Sequence, residues 1–256
     1  MKKLILFFGI IMFVMACKSS TDTTPSTTTT SSGTTYDISV IKDKFYSTPN
    51  FSSTVTATIE GNYLVVKTNG TPDHKSPYYS SSDARYEAYN GSNTSFRAAP
   101  NTITTQNLTF KIPLNPKEAS SKSTTPMGPI GVSLNGIPFY NQYAAGGAKL
   151  TGEINGFDQY GGHPQMQGQY HYHVEPLNLT AKKGTDAFLG VLLDGFPVYG
   201  PKENGALVKE SDLDAYHGHT AKTTEFPNGI YHYHITSSDP YLNGSGFFGT
   251  VGTVSQ

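Results

Sequence analysis

The chain has 256 residues, 18 Lys and Arg against 19 Asp and Glu, and a formal net charge of −1 at pH 7. It shows no basic stripe or Lys/Arg cluster, which argues against a surface built to attract nucleic-acid phosphates. Tryptophan is absent, whereas 17 Tyr and 14 Phe are interspersed with 26 Gly and 16 Pro. That balance favours short strands joined by tight turns over helices.

The first residues predict an exported, lipid-anchored protein. Lys2 and Lys3 precede an apolar run from Leu4 to Met15 broken only by Gly9, and Ala16 stands directly before Cys17. The run is too short and wrongly flanked for a stable membrane span and has the layout of a secretory signal. A small residue before the only cysteine matches lipoprotein processing, so residues 1–16 read as the signal and Cys17 as the lipid attachment point. Acyl chains at about 0.8 kcal/mol per buried methylene hold a protein at a membrane without a spanning helix. The expected location is the cell envelope, on its periplasmic or cell-surface side. Losing Lys2 and Lys3 takes the net charge from −1 to about −3. With Cys17 lipidated, no thiol is left for a disulfide, although the compartment is oxidising. Residues 17–35, almost all Ser and Thr from Ser19 onward, read as a flexible tether. Residues 36–256 read as one β-rich domain.

Within that domain, Thr54 to Glu60 alternates as a strand does, Gly61-Asn62 makes a turn, and Tyr63 to Thr68 answers as a second strand. Asn69 to His74 is a loop by its breakers, and the Tyr/Ser/Asn-rich stretch to Pro100 reads as long loop with one short strand at most. Asn107 to Leu114 is a further strand, and Ser120 to Thr125 a polar connector.

From Pro129 the chain repeats itself. Val132-Ser133-Leu134-Asn135-Gly136-Ile137-Pro138-Phe139-Tyr140 parallels Val191-Leu192-Leu193-Asp194-Gly195-Phe196-Pro197-Val198-Tyr199. Asn-Gly or Asp-Gly between apolar runs is a strong hairpin signal. Further on, Asp158 to His163 parallels Asp214 to His219, and Tyr170-His171-Tyr172-His173 parallels Tyr231-His232-Tyr233-His234. The offsets are 59, 56 and 61 residues, so the order is kept while the loops vary. The expectation is a single, mostly antiparallel, sandwich-like β domain with few short helices. Its two repeat units, about 129–176 and 188–238, would pack about a pseudo-two-fold axis.

Seven of the eight histidines fall between His163 and His234. Alternate strand residues share a face, so the tyrosines of each quartet line one side and its histidines the other, about 6.5–7 Å apart along the strand. Tyrosine is the better core filler, which turns the imidazoles toward a cleft or interface. A His-x-His pair has the reach of a bidentate metal site, and imidazoles with carboxylates suit zinc or copper. His171, His173, His232 and His234 are the leading ligands and His163 and His219 the next. Asp158 and Asp214 are ligands or acceptors that orient an imidazole. If the two copies face each other, one pair completes the other's site. His74 alone is a turn histidine, His217 lacks a counterpart because Gly161 occupies the matching position, and Asp194 is a turn residue at a hairpin tip.

Three functions remain open on these residues. The first is metal capture, delivery or structural metal binding. The second is a metal-dependent hydrolase or oxidase at the same site, with Glu153, Glu175 and Glu225 as bases by residue type only. The third is a glycan- or protein-binding surface module in which the tyrosine faces act and the histidines brace them. No Gly-x-Ser-x-Gly motif and no phosphate-cradling glycine loop is present.

The two quartets resemble the bacterial family named for its YHYH motif, extracytoplasmic proteins of largely unassigned function. The likeness runs from about Asn69 to Phe248. It includes Asn69-Gly70-Thr71-Pro72-Asp73-His74, Gly131 to Phe139, Gly162-His163-Pro164 and Leu193 to Pro201. It implies that His74 joins the site residues. Members of the family often carry cysteines where this chain has Gln159-Tyr160, Ala215-Tyr216 and Phe247-Phe248-Gly249, which leaves this chain leaning on its core.

Overall fold

Strand β1 (Val55–Glu60) and strand β2 (Tyr63–Thr68) form the antiparallel hairpin expected around Gly61-Asn62, in the register Val55↔Thr68 to Glu60↔Tyr63. The computed structural model describes residues 35–244 and 246–256, and Cys17 and most of the tether lie outside them. Strand β3 (Leu108–Pro113) pairs with β2, and its side chains alternate between buried and more exposed because the strand has one face on the core. Between β2 and β3 the chain runs as a long loop, pinned by a bridge from Ser76 to Tyr86 and carrying no named strand.

The remaining elements follow at short intervals. Strands β4 (Gly131–Ser133) and β5 (Pro138–Phe139) are followed by a small hairpin of β6 (Tyr143–Ala144) and β7 (Ala148–Lys149), then β8 (Gly162–Pro164) and β9 (Tyr170–Tyr172). After helix α1 (Leu177–Lys183), the order recurs. It runs β10 (Phe188–Leu192), β11 (Pro197–Tyr199), a small hairpin of β12 (Lys202–Glu203) and β13 (Ala206–Leu207), then β14 (Gly218–Ala221) and β15 (Ile230–His234). Strand β16 (Thr253–Ser255) closes the chain against β3. Among the described residues no helix is long and apolar enough to cross a membrane.

Two main sheets result, and the fold is mostly β and mostly antiparallel, as expected. One has four strands in the order β1-β2-β3-β16, and the other eight in the order β14-β15-β11-β10-β4-β5-β9-β8. The larger sheet reads the same from either edge. Each Asn-Gly or Asp-Gly segment makes a hairpin, with Gly136 and Gly195 at φ 80° and 87°, where a β-carbon is disfavoured. Each quartet strand then lies parallel to the second strand of its hairpin, through β5–β9 and β11–β15. The hairpins meet at the antiparallel pair β4–β10, where the aligned positions Val132 and Val191 face each other. A β-carbon on Gly131 or Gly190 would stand 2.5 or 2.4 Å from the opposing carbonyl oxygen, so glycine is required at this crossing.

Both sheets contribute to one apolar core, with Leu64, Val66, Phe110 and Ile112 from the smaller and Val132, Phe139, Val191 and Val198 from the larger. Asp194 is more than a turn residue. It is fully buried and accepts the Tyr233 hydroxyl at 2.6 Å and the amides of Gly249 and Phe196 at 2.8 and 3.2 Å. Burial pushes its carboxyl up to about 6 despite these bonds. The aligned position in the first half is Asn135, which is neutral and within 3.3 Å of the Tyr172 hydroxyl.

A carboxyl whose folded pKa is raised contributes most stability below its unfolded value and loses it as pH rises through the folded value. For Asp194 that window runs from the ordinary 3.8 to about 6. Asp194→Asn therefore gains relative to the native chain as pH rises from about 4 to about 7, by on the order of 3 kcal/mol. Denaturant unfolding of both proteins across that range checks it, and a pH-independent difference would contradict it.

Candidate metal centres

Strands β9 and β15 place their side chains as a period of two requires, tyrosines to one face and histidines to the other. Both faces are buried: Tyr170, Tyr172, Tyr231 and Tyr233 are at most 3% exposed, and the four quartet histidines at most 2%. The quartet imidazoles are thus buried, and His232 and His234 of the second quartet also line a cavity. Each quartet strand pairs with the strand carrying the upstream Gly-His, in the registers His163↔His171 and His219↔His232. That pairing brings a third imidazole onto the histidine face. The glycine before it is needed because a β-carbon on Gly162 or Gly218 would stand 2.5 Å from the ring of Tyr170 or Tyr231.

In the first half, His171 Nδ1 faces the Gln169 carbonyl oxygen at 3.1 Å and His173 Nδ1 faces that of Asn141 at 2.5 Å. Carbonyls only accept, so both Nδ1 atoms donate, and the Nε2 atoms stand 3.0 Å apart. His163 Nε2 is 3.0 Å from Glu153 Oε1, and His173 Nε2 is 3.9 Å from it. Tyr140 stacks on His171 with ring centres 3.9 Å apart, and Phe157 lies parallel to His173 at 5.7 Å.

The second half repeats this geometry with different walls. His232 Nδ1 donates to the Ile230 carbonyl at 3.0 Å and His234 Nδ1 to that of Gly200 at 2.9 Å, leaving their Nε2 atoms 3.1 Å apart. Glu203 Oε1 lies 3.4 Å from His219 Nε2 and 3.6 Å from His232 Nε2. Tyr199 meets His232 edge-on at 5.0 Å.

The electrostatics favour neutral imidazoles at the quartet positions. Burial lowers all four quartet histidines, His173 to about 4 and His232 to about 3, and neighbouring imidazoles depress them further. Neutral imidazoles whose Nδ1 atoms donate have bare Nε2 lone pairs, and two such acceptors cannot satisfy one another at 3.0 Å. His219 Nε2 and Glu203 Oε1 are likewise buried without a hydrogen-bond partner, and His163 Nε2 has Glu153 Oε1 beside it. A cation shared by these atoms resolves the conflict. Tetrahedral ligands at 2.0–2.1 Å from zinc lie about 3.3 Å from one another, close to the separations found. In each group, Glu153, His163, His171 and His173 or Glu203, His219, His232 and His234, the ligand atoms lie within 4.8 Å of one another. The residues present fit a metal ion.

Several expectations need correction. The two His-x-His pairs do not share one site. Four strands separate β9 from β15, so the pairs lie five strand spacings apart, about 24 Å along the sheet at about 4.8 Å per strand. Asp158 and Asp214 lie on the tyrosine side. Asp158 accepts the Tyr170 hydroxyl at 2.9 Å and the Ser76 hydroxyl at 2.6 Å, and Asp214 the Tyr231 hydroxyl at 2.9 Å. Both also cap local turn amides, so they brace tyrosines and orient no imidazole. His74 is outside both groups. Its Nδ1 donates to the Lys75 carbonyl at 2.9 Å, its Nε2 is 3.3 Å from the Tyr172 hydroxyl, and its ring packs on Tyr160. His217, with no counterpart, is buried against Glu210 at 3.0 Å. The tyrosine faces are too buried to serve as a glycan-binding surface.

The residues that sequence reasoning missed are the carboxylates. Glu153 entered only as a base by type, and Glu203 not at all. Glu153 lies five residues before Asp158, where the second half has Lys209. Glu203 lies four after Tyr199, where the first half has Ala144. The acids are out of register with the repeat, so matching the halves could not reveal them. In the second half the nearby acid of the turn before Asp214, Glu210, is engaged by His217, Thr236 and Ser238.

The family model described as YHYH protein matches residues 109–207 and 202–245, more than half of the chain and all eight residues of the two centres. No curated protein and no solved structure matches the chain.

Because the folded values of the quartet histidines lie below the usual 6.5, the unfolded chain takes up protons first on acidification. Metal-free protein is therefore expected to lose stability as pH falls from about 6.5 toward about 4. Over the upper part of that range the C2-proton resonances of the quartet histidines should not move. An ordinary titration near pH 6.5 in the NMR spectrum of chelator-treated protein would contradict this.

Proposed function

We propose, of a chain that belongs to the YHYH protein family, that it is an envelope protein lipid-anchored through Cys17 and that it binds zinc or copper at two centres. Each centre uses three imidazole Nε2 atoms and one glutamate. The observation that carries this reading is the placing of the carboxylates. Glu153 and Glu203 come from non-corresponding positions, yet each faces three imidazoles of the same arrangement, all buried but the partly exposed His219. A structural brace inherited with the repeat would keep its register. A carboxylate reaching the same place by two routes answers a charge requirement at that place.

Imidazole with carboxylate is a donor set for zinc and copper, and when bound such an ion supplies positive charge and Lewis acidity. The chain's own part is to present bare Nε2 lone pairs. The backbone carbonyls of Gln169, Asn141, Ile230 and Gly200 hold the rings in that tautomer. Burial keeps the imidazoles neutral and ready to coordinate. The sequence start supports the anchoring part of the reading, and a lone cysteine used for lipid leaves no disulfide to stabilise the domain.

Elemental analysis of the purified chain tests this. Two metal equivalents are expected, falling to one in His171→Ala/His173→Ala or in His232→Ala/His234→Ala. The gentler Glu153→Gln and Glu203→Gln should each weaken one centre by about 10–100-fold or more while leaving the other intact. Metal-free protein whose thermal stability is unmoved by added zinc or copper would overturn the proposal.

A further inference from the structure

The two centres match in geometry, but their surroundings do not. The first borders a cavity of about 490 Å³ whose wall includes Glu153, His163 and a single basic side chain, Arg97, which donates to its neighbour's carbonyl oxygen. The second borders a cavity of about 910 Å³ with Glu203, His232 and His234 in its wall together with Lys44, Lys183, Lys202 and Lys222. That volume is of the size that takes a small molecule.

Four carboxylates line the larger cavity too, and three of them are already engaged. Asp43 is paired with Lys42, and Glu203 faces the histidines. Glu225 pairs with Lys44 at 2.9 Å and accepts the Tyr199 hydroxyl at 2.7 Å. Among the cations, Lys183 lies over the Tyr46 ring at 4.9 Å. Lys202 and Lys222 have no side-chain partner among the described residues. The uncommitted charges are thus Lys183, Lys202 and Lys222 against Asp186 alone. A divalent ion held by neutral imidazoles and one glutamate adds net positive charge at the end of this cavity. Clefts lined by one sign of charge focus the field and concentrate counter-ions.

We infer that this cavity binds a small dianion, a dicarboxylate or a phosphate, with one anionic oxygen toward the metal and the other end toward Lys202 and Lys222. The inference rests on the metal-binding reading above. Zinc sites of four ligands can expand to five, so an incoming oxygen need not displace Glu203. The first centre, without lysines around it, is expected to hold its ion and take no such ligand.

The experiment is calorimetric titration of the zinc-loaded full chain with succinate, with inorganic phosphate and with succinamide as the uncharged counterpart. One anion is expected to bind at one equivalent, more weakly as salt rises, and succinamide not at all. Whichever anion binds more tightly identifies the class. Lys202→Ala/Lys222→Ala should weaken it about tenfold without changing zinc content, since two charge-assisted contacts, at the partly exposed Lys202 and the exposed Lys222, are lost. Glu153→Gln, at the other centre, should leave the anion affinity unchanged. Zinc present at the second centre with neither anion bound, or with affinity indifferent to the lysines, overturns the inference and leaves the metal reading standing. Equal anion affinity with and without zinc overturns it as well. Absence of zinc from the second centre overturns the metal reading itself, and with it the inference.

Discussion

Four hydrogen bonds from imidazole Nδ1 atoms to backbone carbonyls set the terms for both centres. Each bond spends the only proton a neutral imidazole has, on the side away from its partner ring. The Nε2 lone pairs are then left to face one another at 3.0 and 3.1 Å among buried side chains. Protonating one ring would relieve the repulsion, but burial works against the charge, which is why these histidines are driven below their ordinary range, His171 and His232 far below it. A shared cation would satisfy these lone pairs together, and each group of one glutamate and three histidines could hold one.

The same strand geometry organises the opposite face. The tyrosine hydroxyls that the alternation turns away from the histidines are taken up by Asp158, Asn135, Asp214 and Asp194. A further network lies beneath them, where Asp73 accepts from Asn135 and Asn178 at 2.8 Å, Tyr46 at 2.9 Å and Lys182 at 3.0 Å. Buried polar groups that are fully paired hold a core to one arrangement, whereas unpaired ones cost about 1–3 kcal/mol each. In a chain with no disulfide available, these networks and the shared apolar core fix the rings on which the centres depend.

The palindromic order of the larger sheet explains why the centres stay apart. Joining the hairpins through β4 and β10 puts the aligned valines at the middle and carries each quartet strand outward to the second position from its edge. Each half therefore brings a glutamate to its histidines from its own loops. The first half uses the short turn at Glu153 and the second the hairpin carrying Glu203. These segments also make the difference in character, because the β12 hairpin brings Lys202 beside Glu203 into the larger cavity.

What the sequence determined by itself was local. Strand period sorted tyrosines from histidines, Asn-Gly and Asp-Gly placed the hairpins, and the matching stations keep their order in the strands of the larger sheet. These rules act between residues a few positions apart or between aligned segments, so they can be read without knowing the fold. Tertiary structure alone decided which strands became neighbours, and so that His163 and His219 join their own quartets and that the quartets never meet. It also decided which acids enter the centres, taking Glu153 and Glu203 and sending Asp158 and Asp214 to the tyrosines. Which carboxylate comes to face the imidazoles depends on where a loop of variable length closes, and no spacing in the sequence encodes that.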